Sequence, residues 1–192
     1  MRYASALETL LLTDPRRRNI LHIVHSLCPE SWIGAGFVRD AVWDHLHHSV
    51  PQPPAGDVDV IWLNPHEMAI EADIAMENRL HERAPEVKWS VKNQARMHLR
   101  NGDAPYSSLL AALRHWPETA TAVAVRLAGK ARIEIIAPFG LDDLFGLRLR
   151  PTPHFTGRKY PQFRRRVEEK RWLTRYPHLA LIAADDIPPG LC

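Results

Sequence analysis

The chain has 192 residues, 45% hydrophobic and 24% charged, which is long enough to bury one core and excludes a disordered or fibrous protein. No apolar run approaches the roughly 20 residues of a membrane span, and the early acid Glu8 with the short run Leu10 to Leu12 argues against a secretory leader. The two cysteines, Cys28 and the last residue Cys192, exclude a disulfide framework and a Cys-based zinc site, so a reducing cytoplasm is expected. The net charge of +3 is uneven: Arg148 to Arg175 carries a balance of +8, which leaves about −5 for the rest.

Leu7, Leu10 and Leu11 recur at helical spacing. A second helix begins at Asp14-Pro15, an N-cap acid followed by proline at the first helical position, and buries Ile20, Ile23, Val24 and Leu27. Arg16, Arg17 and Arg18 at its start oppose the helix dipole, so tertiary contacts must set their role. Ser31-Trp32-Ile33 reads as a strand, Gly34-Ala35-Gly36 as a turn, and Phe37 to His47 as a helix. His45, His47 and His48 at its end read as a solvated helix end or a metal cluster. Pro51, Pro53 and Pro54 make a stiff loop, and Val58, Val60 and Trp62 alternate with Asp57, Asp59 and Ile61 as a strand.

Asn64-Pro65 opens a helix to Arg83 with Ile70, Ile74 and Leu80 as core candidates. Trp89-Ser90-Val91 reads as a strand, Pro105 to His115 as a helix, and a strand that begins at Thr119 or Thr121 and carries Val123, Val125 and Leu127 pairs across Gly129-Lys130 with Arg132 to Ala137 as a hairpin. After residue 150 prolines and Gly157 punctuate the chain before a basic helix, Phe163 to Arg175, and a tail from Ala183. The order of elements predicts an α/β (α+β) domain, a mixed sheet flanked by helices, over 1–150, with a basic extension over 151–192 packed on it.

Two features carry chemistry. Asp57 and Asp59, two apart on a strand, share a face with Cα atoms roughly 6.5–7 Å apart. Such carboxylates repel and must be solvated, protonated or bound to a cation, and magnesium takes oxygen ligands of this kind. The competing reading is a strand end with two solvated acids. The turn Gly34-Ala35-Gly36 between strand and helix points free N–H groups and a helix dipole at an anion. It is not a dinucleotide fingerprint, because Arg39 stands at the third glycine position, and the Gly-Lys-Ser/Thr of a P-loop is absent. Its competing reading is a tight connection that needs small residues for packing.

Ala35-Gly36-Phe37-Val38-Arg39-Asp40 followed by Asp57-Val58-Asp59-Val60 resembles the nucleotidyltransferase superfamily with the DNA polymerase β-like fold. In particular it is similar to the G-G-x-V-R-D and D-x-D signature of the CCA-adding and poly(A) polymerase head domain. The chain departs from it in carrying Ala35 where the first glycine of that pair stands, and it has no room for the helical domains behind that head. Over most of its length it resembles a family of small bacterial nucleotidyltransferase-like proteins, through Gly34 to Asp44, Asp57 to Val60, Trp89 to His98, Trp116 to Val125 and Ala137 to Leu144.

The resemblance implies an NTP substrate, Mg2+ or Mn2+ as cofactor, and a third catalytic carboxylate on a later strand. Glu134, an acid flanked by isoleucines, is the best position, with Asp142 and Asp143 as competitors and an ion pair to Arg132 or Arg126 as its structural alternative. Gly34, Gly36 and Phe37 are then expected to hold the phosphates, and Asp57, Asp59 and Glu134 the metal. Asn93 and Arg96, with Gln94, form a polar block that either contacts the nucleotide or caps turns, and Thr119 and Thr121 divide the same way. Arg39 reads as structural, paired to Asp40 or Asp44. The basic helix either binds RNA or another polyanion through Arg164, Arg165, Arg166, Lys170 and Arg171, or carries a core stripe of Phe163 and Val167 beneath solvated arginines. The functions to separate are an active nucleotidyltransferase, an inactive nucleotide-binding protein of the same fold, and a basic RNA-binding module.

Overall fold

The computed structural model describes residues 2–47, 50, 52–129 and 131–183, so the readings of His48, Pro51, Lys130, Cys192 and the tail beyond residue 183 fall outside the described residues. The helices α1 (Ala4–Thr13) and α2 (Pro15–Leu27) bury Leu7, Leu11, Ile20, Ile23 and Val24 as their spacing predicts, and Leu21 besides, while Leu10 and Leu27 are half-buried. The Asp14 side chain accepts from the Arg16 and Arg17 N–H groups and caps α2. Arg17, at 1% exposure, is held by Asp14 at 2.8 Å, the Gln52 carbonyl at 2.9 Å and the Phe37 carbonyl at 3.1 Å. A cation placed against the helix dipole is therefore stabilised by a cap acid and two carbonyls from elsewhere in the chain.

The strands are β1 (Trp32–Gly34), β2 (Val58–Trp62), β3 (Trp89–Asn93), β4 (Ala124–Leu127) and β5 (Ile133–Ile136), joined in the order β3-β2-β1-β4-β5. Only β2 and β3 run parallel; the other pairs are antiparallel, so the sheet is mixed. Alternation assigns its faces. Ile33, Val58, Val60, Val91 and Val125 join the large core with α1, α2 and α3 (Gly36–Leu46), whereas Trp32, Ile61 and Ala124 form a smaller cluster with Leu113 of α6 (Leu109–Arg114). Gly34 pairs with Asp59 and with Ala124, which puts Asp59 on the second, less covered face.

Three elements depart from expectation. The helix after Asn64-Pro65 begins only at Ile70, as α4 (Ile70–Arg83). On it Ile70 and Ile74 are about half exposed, at 53% and 51%, while Asp73 is buried. Asp73 accepts from the Trp62 indole N–H at 2.8 Å and the Asn93 N–H at 2.9 Å and pairs with Arg96 of α5 (Gln94–Asn101), and these bonds turn α4 so that Asp73 and Leu80 face inward. The Pro105 to His115 helix is reduced to α6, whose start is set by the Ser108 side chain accepting from the Ala111 N–H.

The basic helix breaks in two at Arg171, which has φ +52°, giving α8 (Tyr160–Lys170) and α9 (Trp172–Arg175). Between β5 and α8 lie α7 (Asp142–Phe145) and β6 (Arg148–Leu149), and after α9 comes β7 (Ala180–Leu181), parallel to β6. Phe163, Val167, Trp172, Tyr176 and Leu179 belong to the same core as Leu7 and Val38. Among the described residues no helix is long and apolar enough to cross a membrane.

Candidate active site

The turn from β1 into α3 is built for close approach. A Cβ on Gly34 would lie 3.0 Å from the Trp116 ring and 3.1 Å from the Val123 carbonyl, so glycine here is a packing requirement. Ala35 has φ +53° and ψ −126°, a backbone that side chains other than glycine rarely adopt, and Gly36 opens the helix. The first N–H groups of α3 have no intrahelical partner, and Ala35 and Gly36 line a cleft of about 470 Å³.

Asp57 and Asp59 line the same cleft, Asp57 just before β2 and Asp59 within it. The Lys88 ammonium meets Asp57 at 2.7 Å. Burial, and next the charge of Asp57, push the Asp59 carboxyl above the usual carboxylate range, against the pull of Arg166, Arg39 and Lys170. Two hard oxygen donors side by side, one of them costly to ionise alone, fit a divalent cation that takes one or two carboxylates and keeps other positions for phosphate and water.

Another wall comes from the C-terminal helices, whose basic residues the sequence offered as a polyanion contact or a solvated face and not as neighbours of Asp57 and Asp59. Arg166 and Lys170, four apart on α8, and Trp172 and Arg175 of α9 line the cleft. The guanidinium groups of Arg39 and Arg166 lie against the Trp172 ring, 4.5 and 5.5 Å from its centroid. Behind Arg166 stands Glu118, fully buried, accepting from the Arg166 Nε at 2.7 Å. Arg39 bonds Asp40 through Nε at 2.9 Å and donates to the Thr121 hydroxyl at 3.2 Å, so it ties α3 to the turn before β4 and also faces the cleft. Arg175 reaches both Asp40 and Asp44 at 3.4 Å. The signal in the sequence was the i, i+4 pair Arg166 and Lys170, flanked by Phe163 and Val167, which face the core.

The structure does not bring the other expected residues to the cleft. Glu134 lies on β5, three strands from Asp59, a lateral separation of roughly 14 Å at the usual strand spacing. It is half exposed and accepts from Arg126, its partner across the hairpin, at 2.5 Å. The expected third carboxylate is thus corrected to a surface ion pair, and the cross-strand neighbours of Asp59 are Gly34 and Ser90, neither an acid. Among the described residues no group of three His, Cys, Asp or Glu side chains is placed to hold a metal ion.

Asn93 is fully buried. Its side chain accepts from the Asn64 and Ala95 N–H groups at 3.1 and 3.0 Å and donates to the Asn64 and Glu67 carbonyls at 2.8 and 2.6 Å, so it caps and ties loops rather than meeting a ligand. Arg96 is spent on Asp73. Both follow the far end of β2, since Trp62 and not Val58 pairs with Asn93. The Phe37 ring is fully buried in the core, leaving its backbone as the only part near the turn. Asp143, the competitor to Glu134, is taken by Arg148 at 2.8 Å and Arg150 at 2.9 Å.

Comparison with known proteins identifies the family and the fold. Residues 23–181 match a family model described as nucleotidyltransferase. A structure solved by NMR and described as revealing a CCA-adding enzyme head domain superposes with a TM-score of 0.82 at 30% identity, over 94% of this chain and 96% of that one. The Thermotoga maritima CCA-adding enzyme in complex with tRNA superposes with a TM-score of 0.61 at 16% identity, over 95% of this chain and 43% of that one. A CCA-adding enzyme bound to CTP gives 0.60 at 16%, over 95% and 44%. This chain thus spans less than half the length of those two enzymes. No curated protein matches the sequence. With the family model covering most of its length and the head-domain fold shared, the chain belongs to the nucleotidyltransferase family.

Proposed function

We propose that the chain is a metal-dependent nucleotidyltransferase that moves a nucleoside monophosphate from an NTP to a hydroxyl acceptor. One observation carries this reading: the Asp57–Asp59 pair, the α3 N-terminus and the basic wall of α8 and α9 converge on one cleft. The N–H groups of the first turn of α3 and its dipole hold phosphate oxygens. Arg166, Lys170 and Arg175 add positive charge opposite that turn, and Glu118 and Trp172 keep the Arg166 guanidinium in place by occupying its Nε and one face. Asp57 and Asp59 are the residues that would hold Mg2+ or Mn2+, which supplies charge neutralisation at the reacting phosphate. The acceptor oxygen attacks the α-phosphorus, its bond to the bridging oxygen breaks, pyrophosphate leaves and the hydroxyl proton passes to water. Rate enhancement then comes from positioning and from fixed charge.

Lys88 must release Asp57 as a metal enters, and its ammonium is then available to phosphate. The CCA-adding likeness makes an RNA 3′ end one acceptor class, and the exposed Arg164 and Arg165 are the outward cations such a strand would meet. A second reading, nucleotide binding without transfer, is favoured by the cross-strand neighbours of Asp59, Gly34 and Ser90, neither of which is an acid.

Incubation with Mg2+, α-labelled NTP and cell extract separates them. Label transfer is expected from the wild type, reduced by at least about 100-fold in Asp57→Asn and in Asp59→Asn. Arg166→Gln is expected to raise the NTP KM by about ten-fold, the worth of one charge-assisted bond to phosphate. Transfer at wild-type rate by both aspartate variants would sink the enzyme reading; nucleotide binding with no transfer by the wild type would establish the second.

A further inference from the structure

A nucleotidyl transfer needs a place for the acceptor as well as for the nucleotide, and a second recess adjoins the cleft. It has a volume of about 460 Å³ and shares Pro54, Gly56 and Lys88 with the cleft, so one ridge separates the two. Its floor is apolar, made by Ile20 and Val58, both buried, and by Val87. Pro53 and Pro54 form a stiff side. Its rim carries Arg16 and Asn19 from α2 and Glu86 and Lys88 from the turn before β3. Of the four rim residues Lys88 alone also lines the cleft, so nucleotide binding as proposed above leaves the rest of the rim and the apolar floor unused. The ridge is bare at Gly56, the residue before Asp57, where a Cβ would meet nothing within 4 Å.

We infer that this recess is the acceptor subsite, and that the acceptor is a small hydroxylated molecule with an apolar body and an anionic substituent. The inference rests on the nucleotidyl-transfer reading. The volume lies in the range of small-ligand pockets, which are apolar with a few polar groups. Of the rim cations Lys88 is held by Asp57, which leaves Arg16, with Glu86 as the one acid of the rim, to receive a single anionic group. The rim is not the continuous basic track with stacking aromatics that a single strand of nucleic acid follows. The acceptor hydroxyl would cross the Gly56 ridge to the Asp57 side of the cleft. There its oxygen forms the new bond to the α-phosphorus, the bond to pyrophosphate breaks, and the hydroxyl proton goes to water.

The test fills the recess from two exposed positions away from the acids, with Asn19→Trp and Pro53→Trp. Label from α-labelled NTP is followed into the dialysable, RNA and protein fractions of an extract, while affinity for an α,β-methylene NTP is measured by equilibrium dialysis. The expected result is label in the dialysable fraction, falling at least ten-fold in both variants, with nucleotide affinity unchanged within two-fold. Label confined to RNA or protein, or filled variants that label at the wild-type rate, overturns the acceptor assignment and leaves the transfer reading standing. Absence of label in every fraction overturns both. A direct measurement needs no turnover: hydroxylated aromatic acids are titrated into the protein and amide shifts followed at Gly56 and Val87. Shifts that Asn19→Trp abolishes are expected, and no shift from any of them counts against the subsite.

Discussion

Two residues of the site carry a cost that the fold tolerates. Ala35 holds φ +53° where the turn into α3 requires it, with its Cβ crowding its own backbone. Ala35→Gly is expected to raise stability by about 1 kcal/mol, the relief of that crowding less the extra freedom glycine has when unfolded; urea unfolding measures it. Asp59 is the second. Burial and the Asp57 charge raise its folded carboxyl above the unfolded value. Below the unfolded value both states hold the proton and nothing is lost. As pH rises through the folded value the buried charge must form, and stability falls by the full penalty. Asp59→Asn removes the ionisation, so its Tm should exceed the wild type's at pH 7 and the difference should vanish near pH 3. An equal gain at both pH values would place the cause in packing instead.

Helix α4 and strand β5 show how a buried or a paired acid overrides pattern. The inward group of α4 is Asp73, bound to Trp62, Asn93 and Arg96, while Ile70 and Ile74 stand in solvent. Removing Asp73 leaves the Arg96 guanidinium buried without its partner, so Asp73→Ala is expected to cost about 3–5 kcal/mol. Ile74→Ser should cost no more than about 0.5 kcal/mol, and thermal unfolding of the two variants compares them. On β5 the Glu134 carboxylate is half exposed and bound to Arg126. Glu134→Gln is expected to cost under about 1 kcal/mol, as exposed pairs do, and to leave label transfer at the wild-type rate. A loss of transfer in that variant would return Glu134 to the catalytic set.

Across the molecule, the segment after residue 150 closes back on the domain that precedes it. Strand β7 pairs with β6, and Phe163, Val167, Trp172 and Tyr176 are buried in the main core. The Tyr176 hydroxyl donates to Asp44 of α3 at 2.8 Å, and burial and then the Asp40 charge hold its proton far above the usual phenol range. The same helices carry the basic wall of the cleft, so on the proposed reading nucleotide binding depends on the same packing as stability. Trp172→Ala is expected to cost about 3–5 kcal/mol for the lost aromatic burial and also to weaken NTP affinity, because Arg39 and Arg166 lose the ring they lie against. Lys170→Ala should weaken affinity without lowering Tm. Calorimetric binding and thermal unfolding on the same samples separate the two effects.

Local chemistry was enough to place several elements. The Asp14-Pro15 cap started α2 where expected, the alternation of Val58, Val60 and Trp62 with Asp59 and Ile61 located β2, and Gly34-Ala35-Gly36 marked the turn beside the acids. Each is a backbone or periodicity signal contained within a few residues. Pattern failed where a side chain answers to a distant partner. The sequence offered Glu134 both a metal role and an ion pair to Arg132 or Arg126, and only the sheet order and register chose Arg126, while nothing near Asp73 says that three groups from three other elements will need its oxygens. The basic wall was legible as charge in the chain, but its position over Asp57 and Asp59 depends on the break at Arg171 and on burial of Phe163 and Trp172 against the domain. Sequence determined which residue types are suited to phosphate and metal. Long-range packing, in which burial forces each charged group to find a partner, decided which of them share the cleft.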